Sequence, residues 1–197
     1  MQLSAVGWES ASVVFYGLET RSILLSGPVD ESMANGICSQ LQLLDLAGPE
    51  PIKLWINTGG GSIVDALAIY DMIKIIDAPV LGIVCGACYS AGLLIISACD
   101  FRIATPRSTF FYHQPIMSSP EVISLEGAQS GLKHYLHSLD TVDEIIKKRT
   151  GIKKKPWKKH FFGKTSKHFS VKEALKWGFI DDVLDYADKP VLEIADG

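Results

Sequence analysis

No stretch of this sequence stays apolar for the roughly 20 residues a membrane-spanning helix needs, so a bilayer-spanning chain is not expected. An excess of one charge is also missing. Lys and Arg number 19 against 22 Asp and Glu, a formal net charge of -3. That balance gives no overall pull toward nucleic acid or an anionic membrane surface, and neither is expected as a partner. Met1 to Glu9 has no basic residue and no apolar centre, so it does not read as a signal peptide, and a cytoplasmic location is the expectation. Cysteine is scarce, at four residues: Cys38, Cys85, Cys88 and Cys99. Cys85 and Cys88 form one C-x-x-C without the second half of a zinc site, so they read as small buried hydrophobes in a strand. No glycine-rich run ends in Gly-Lys-Ser/Thr or opens a helix with G-x-G-x-x-G, which leaves nucleotide phosphates without a marked site. Neither a metal nor a cofactor is expected.

What is present is enough apolar material for a core. The hydrophobic fraction is 47 % over 197 residues, which suits one domain that buries roughly 70 % of its unfolded surface. Ile23-Leu24-Leu25 reads as a strand. Met33, Ile37, Leu41 and Leu44 recur at helical spacing behind Asp30, a plausible cap. Ile52 to Ile56 is a strand ending in Asn57-Thr58-Gly59-Gly60-Gly61-Ser62, followed by a helix with Ile63, Leu67, Tyr70 and Ile73 along one side. Val80 to Cys85 is the next strand, then come a small-residue helix to about Ala98 and short strands at Arg102–Ala104 and Thr109–Tyr112. This alternation predicts an α/β fold with a parallel sheet covered on both faces, its site beyond the strand C-termini.

From about Leu125 to Lys148, Leu132, Leu136, Leu139, Val142, Ile145 and Ile146 mark a long helix ended by Thr150-Gly151. It carries apolar residues on more than one side, so a second subunit is expected to cover it. Its His134 and His137 read as solvated or interface groups. The basic cluster from Lys147 to His160, with Trp157 inside, is compatible with nucleic acid in principle, but a solvated helix end suits it better.

Ser90 stands in Gly86-Ala87-Cys88-Tyr89-Ser90-Ala91-Gly92, and His113 in Tyr112-His113-Gln114-Pro115. A serine hydroxyl becomes a nucleophile when a base takes its proton, and neutral imidazole matches that task near pH 7. The Ala91 N–H, near a helix start, and the Gly61 N–H are candidate oxyanion donors. Alternatives at this point are a helix cap for Ser90 and a structural histidine at 113.

These segments, with Ser170–Asp181 further on, resemble the proteolytic subunit of the caseinolytic Clp protease, a branch of the crotonase-like fold, over roughly residues 15 to 186. The family's N-S-P-G-G-S is similar to Asn57–Ser62, its G-x-A-A-S-M-G to Gly86–Gly92, its M-I-H-Q-P to Phe111–Pro115, and its closing S-A-x-E-A-x-x-Y-G-L-I-D to Ser170–Asp181. The resemblance implies a parallel sheet flanked by helices with a protruding handle helix. It implies one domain over 1–197, with a head at about 15–120 and 161–186 and a handle region at about 121–160. It further implies Ser90 as nucleophile, His113 as base, Gly61 and Ala91 as the oxyanion hole, and polypeptide substrates cleaved inside two stacked heptameric rings fed by an ATP-dependent unfoldase. One family residue is absent. The catalytic aspartate lies four residues before the serine matching Ser170, and that position is Ser166. A serine-type endopeptidase, weak in activity, is therefore the leading expectation. Its alternatives are a catalytically inactive subunit of a homomeric or mixed ring and an acyl-CoA enzyme of the same superfamily.

Overall fold

The computed structural model describes residues 17, 19–115, 124–153, 156–157, 161 and 166–186. Expectations for Met1 to Glu9, for Lys154, Lys155 and Lys158 to His160, and for the acidic tail beyond Tyr186 lie outside the described residues.

The elements are β1 (Ser22–Ser26), α1 (Glu31–Ala47), β2 (Ile52–Thr58), α2 (Ile63–Ile75), β3 (Val80–Tyr89), α3 (Gly92–Ala98), β4 (Phe101–Ala104), β5 (Thr109–His113), α4 (Leu125–Thr150), β6 (Ser166–Ser170), α5 (Val171–Lys176) and β7 (Asp182–Val183). Strands β1, β2, β3, β4 and β7 lie side by side in that order, all parallel. Helix α1 starts at its expected cap: the Asp30 carboxylate accepts the Met33 N–H at 2.9 Å. At the start of α2, Ser62 Oγ accepts the Asp65 N–H. Helix α4 begins behind Ser124 and ends at Gly151 in the left-handed region (φ 66°).

Helix α2 buries Ala66, Ile69 and Ile73 most deeply, between α1 and α3, while Ile63, Leu67 and Tyr70 of the expected stripe pack partly buried against the same core. Two expectations are corrected. The sheet is not covered on both faces within one chain. Strand β2 alternates buried Ile52, Leu54, Ile56 and Thr58 with exposed Lys53 and Asn57. The outer face carries Leu24 and Trp55, aligned in register with Ile83 and Ile103; Leu24, on the β1 edge, is 61 % exposed, whereas Ile83 is buried. Cys85 is exposed rather than buried, whereas Cys88 and Cys99 are fully enclosed. Enclosure penalises their thiolates, pushing the Cys99 thiol up to about 12 and raising that of Cys88 as well.

The most consequential difference is in β3. The sequence predicts its end at Cys85, because Gly86 reads as a breaker. In the structure the strand bends at Gly86 (φ 113°) and runs on to Tyr89. Its first half pairs with β4, its last three residues with β5, and the β2 register shifts at the same place. Asn57 Oδ1 accepts the Ala87 N–H at 3.0 Å, and a Cβ on Gly86 would sit 2.6 Å from that oxygen. Strand β6 then pairs antiparallel with β5, which makes the sheet mixed. The bend brings the strand end that carries Ser90 against the strand that carries His113.

Helix α4 spans 26 residues, roughly 39 Å. Only Val142 and Ile146, near its C-terminal end, are buried, while Leu125, Leu132 and Leu136 are exposed. Arg149, in its last turn, donates to the Cys99 and Asp100 carbonyls, which fixes the helix base to the loop before β4.

Candidate active site

Ser90 follows the last residue of β3 and precedes α3 by one residue. Its backbone is in the left-handed region (φ 51°), an unfavourable conformation for a residue with a Cβ. Two main-chain bonds hold it there: its N–H donates to Phe111 O at 2.7 Å, and its carbonyl accepts the Leu93 N–H at 3.0 Å. The hydroxyl is not the helix cap. The N-cap position of α3 is Ala91, which has no side-chain cap. The competing structural use of Ser90 is thereby removed.

The glycine turn after β2 packs directly on this serine. A Cβ on Gly60 would lie 2.7 Å from Ser90 Cβ, 2.8 Å from Tyr89 O and 3.1 Å from the Ala91 nitrogen, at a φ of 92° that already favours glycine. The bridge from Val29 to this turn runs through Gly60 O and the Ser62 N–H, either side of Gly61. The Gly61 and Ala91 N–H groups donate to no main-chain carbonyl among the described residues. Of the two, Ala91 directly follows Ser90, and Gly61 follows the Gly60 that packs on it.

His113 closes β5. It lines one pocket with Ser90, Ala91, Ile63, Leu94, Pro115 and Val142. Its Nδ1 lies 2.7 Å from the carbonyl oxygen of Gln114. A carbonyl only accepts, so Nδ1 carries the proton and the Nε2 lone pair is left to act as a base.

Ser166 is the register partner of His113 across the antiparallel β5–β6 pair. Directly opposed residues share a face with Cβ atoms about 5 Å apart. Counting along the sequence puts the family's aspartate position at this same residue. Asp100, a substitute carboxylate in principle, is instead at the other end of β3, where it accepts the Val80 N–H at 2.8 Å. Val80 and Tyr89 are the two ends of the ten-residue strand β3, roughly 30 Å apart along the chain. Asn57 holds the β3 bend and is likewise not on the imidazole.

A buried network beneath the pocket has no counterpart in the sequence pattern. Tyr112 OH donates to Asp143 Oδ1 at 3.3 Å, while Trp157 Nε1 and Lys147 Nζ approach Oδ2 at 3.2 and 2.9 Å. Burial first, then the Asp143 charge and hydrogen bond, raise the Tyr112 phenol. Trp157 is enclosed against Tyr112 and Phe161. It is therefore a core residue. Among the described residues no group of three or more His, Cys, Asp or Glu is placed to hold a metal, and no helix is long and apolar enough to cross a membrane. His168 stacks on Phe111 with ring centroids 4.2 Å apart.

Comparison with known proteins places these features in a family context. A family model described as Clp protease matches residues 8–187. An ATP-dependent Clp protease proteolytic subunit of Streptococcus pneumoniae (strain 70585) is 33 % identical over 170 residues, covering 85 % of this chain and 86 % of that protein. The subunit of the same name from strain Hungary19A-6 is 32 % identical over the same length. Among solved structures, a point mutant of ClpP1 from Listeria monocytogenes superposes with a TM-score of 0.77 at 25 % identity, covering 89 % of this chain and 98 % of that one.

Proposed function

The chain belongs to the Clp protease family, that of the serine-type proteolytic subunits of a self-compartmentalised protease, and from that premise we propose that Ser90 is its nucleophile and His113 its general base. The observation that carries this reading is the pairing of a strained serine that does not cap a helix with an imidazole whose Nδ1 is held by a carbonyl, both on one pocket. In this reading Ser90 Oγ attacks the carbonyl carbon of an extended, unfolded polypeptide while its proton passes to His113 Nε2. The tetrahedral oxyanion is held by the Gly61 and Ala91 amides. The imidazolium returns the proton to the departing amine, and water then releases the acyl-enzyme by the reverse steps.

Treatment of the full chain with an alkyl fluorophosphonate is expected to add one covalent phosphonyl group at Ser90. Labelling should vanish in Ser90→Ala and fall about 10³-fold in His113→Ala. A native chain that stays unmodified at millimolar reagent would defeat the reading.

The ring assembly is proposed on separate grounds. The exposed leucines of α4 and the half-open outer sheet face are apolar surfaces that one chain leaves uncovered. Two stacked heptamers, with α4 as the handle between them and an ATP-driven unfoldase at the pore, would cover them and supply the substrate. Sedimentation at micromolar concentration should return an assembly of many subunits, and Leu132→Glu with Leu136→Glu should reduce it to a smaller species. A monomeric native chain would exclude the assembly.

Ser166 favours one second reading, a subunit that builds the ring without cleaving. It predicts intact assemblies with no labelling at Ser90.

A further inference from the structure

Resting on the reading of Ser90 and His113 as nucleophile and base, we propose that the third member of this site is a main-chain group, the Gln114 carbonyl, with Pro115 as the positioning residue that holds it. The contact itself is short, 2.7 Å from Nδ1 to the oxygen. Its effect is the one a triad's third member must have on the neutral histidine: the proton is kept on Nδ1, and the basic lone pair sits on Nε2.

Three features of the chain keep that carbonyl in place. His113 is the last residue of β5 to pair with β6, so Gln114 lies just beyond the ladder and its carbonyl is free of the sheet's hydrogen bonds among the described residues. A residue before proline is confined to extended conformations, which limits where the Gln114 carbonyl can point. Pro115 is itself buried in the pocket wall, so its ring anchors the shared peptide plane. No carboxylate is needed for this arrangement, which accounts for a serine at 166, the register partner of His113. What the carbonyl does not bring is a negative charge, so the imidazolium formed during attack is stabilised by a dipole alone.

The test is a cycle of four full-length chains: native, Pro115→Ala, Ser166→Asp and the double variant. The readout is the second-order rate of labelling by an alkyl fluorophosphonate across pH 6 to 9. In that reaction the Ser90 Oγ–P bond forms, P–F breaks, fluoride leaves, and the serine proton passes to His113 and on to solvent. Pro115→Ala is expected to slow labelling about tenfold in the native background. In the Ser166→Asp background a carboxylate takes over Nδ1, and the loss should shrink to about twofold. Pro115→Val keeps the bulk of the pocket wall without restricting Gln114, and should slow labelling as Pro115→Ala does; it also serves if the alanine variant folds poorly.

Equal losses in both backgrounds would overturn the proposal, because they would make Pro115 a pocket wall only. So would an unchanged rate in Pro115→Ala. Labelling that appears only after Ser166→Asp would overturn the role of the carbonyl and leave Ser90 and His113 standing. Failure of all four chains to label would remove the site reading together with the proposal.

Discussion

Ser166→Asp is expected to raise the turnover of a short peptide ester or amide by about 10²-fold. The position is favourable because Ser166 and His113 are direct partners across the β5–β6 pair. An aspartate there adds a carboxylate on the same face of the sheet, within reach of Nδ1. In a Ser-His-Asp triad, replacing the aspartate with asparagine costs about 10⁴ in turnover, much of it because the histidine is left in the wrong tautomer. Here the Gln114 carbonyl already selects the right tautomer. The remaining gain is the charge on the imidazolium, about 2.7 kcal/mol for a factor of 10². A gain near 10⁴ would mean that the carbonyl contributes nothing. No gain would mean that a third group outside the described residues already serves His113. Steady-state kinetics with fluorogenic peptides, checked against Ser90→Ala in the same background, separates these outcomes.

Arg102→Met is expected to destabilise the fold by about 3 kcal/mol, a large share of the 5–15 kcal/mol typical of a domain. Arg102 is 4 % exposed. Its guanidinium meets both oxygens of Asp181 and donates to the Gly178 carbonyl at 2.7 Å. Removing it strands a partly buried carboxylate and an acceptor. The value sits at the low end of the range because Asp181 keeps some contact with solvent.

The effect also has a sign in pH. Burial pushes the Asp181 carboxyl up, but hydrogen bonds and charge from Arg102, with Arg149 nearby, outweigh it and hold the group below its ordinary value. A carboxyl depressed in the folded state contributes stability that is complete above its unfolded pKa of about 3.9 and is lost as pH falls through the lower folded value. The gap between native and Arg102→Met should therefore be full at pH 7 and narrow below about pH 4. Urea unfolding at a series of pH values reads this directly. A gap independent of pH would show that Arg102 acts through packing and not through Asp181.

Much of the frame is legible in the sequence because it rests on local rules. Asp30 reads as a cap at a helix start, and it caps that helix. The apolar spacing of α1 and of α4 marks their extents closely. The α2 face is not legible in the same way. A helix packed by two neighbours is apolar nearly all round, so periodicity no longer selects one side. The outer sheet face reads as covered because its strands are rich in apolar residues, but within one chain Ile83 is buried there and Leu24 is not.

The candidate site divides the same way. Ser90, His113, Gly61 and Ala91 can be picked from residue type and spacing, since nucleophile, base and amide donors each need a recognisable side chain or turn. Ser166 can be placed by counting from Ser170, and the β5–β6 register sets it opposite His113. Asp143 gives no signal, because its partners Tyr112 and Trp157 come from distant segments joined only by packing.

By itself, then, the sequence determined the alternation of elements, the family motifs and the candidates for the reacting groups, all of which depend on residues close together in the chain. Tertiary structure alone decided that β3 bends at Gly86 so that Ser90 meets the strand of His113, that the serine hydroxyl is not a cap, and that the imidazole rests on the Gln114 carbonyl. Those outcomes turn on strand register and on which hydrogen-bonding groups the sheet leaves over, and register is set by long-range pairing.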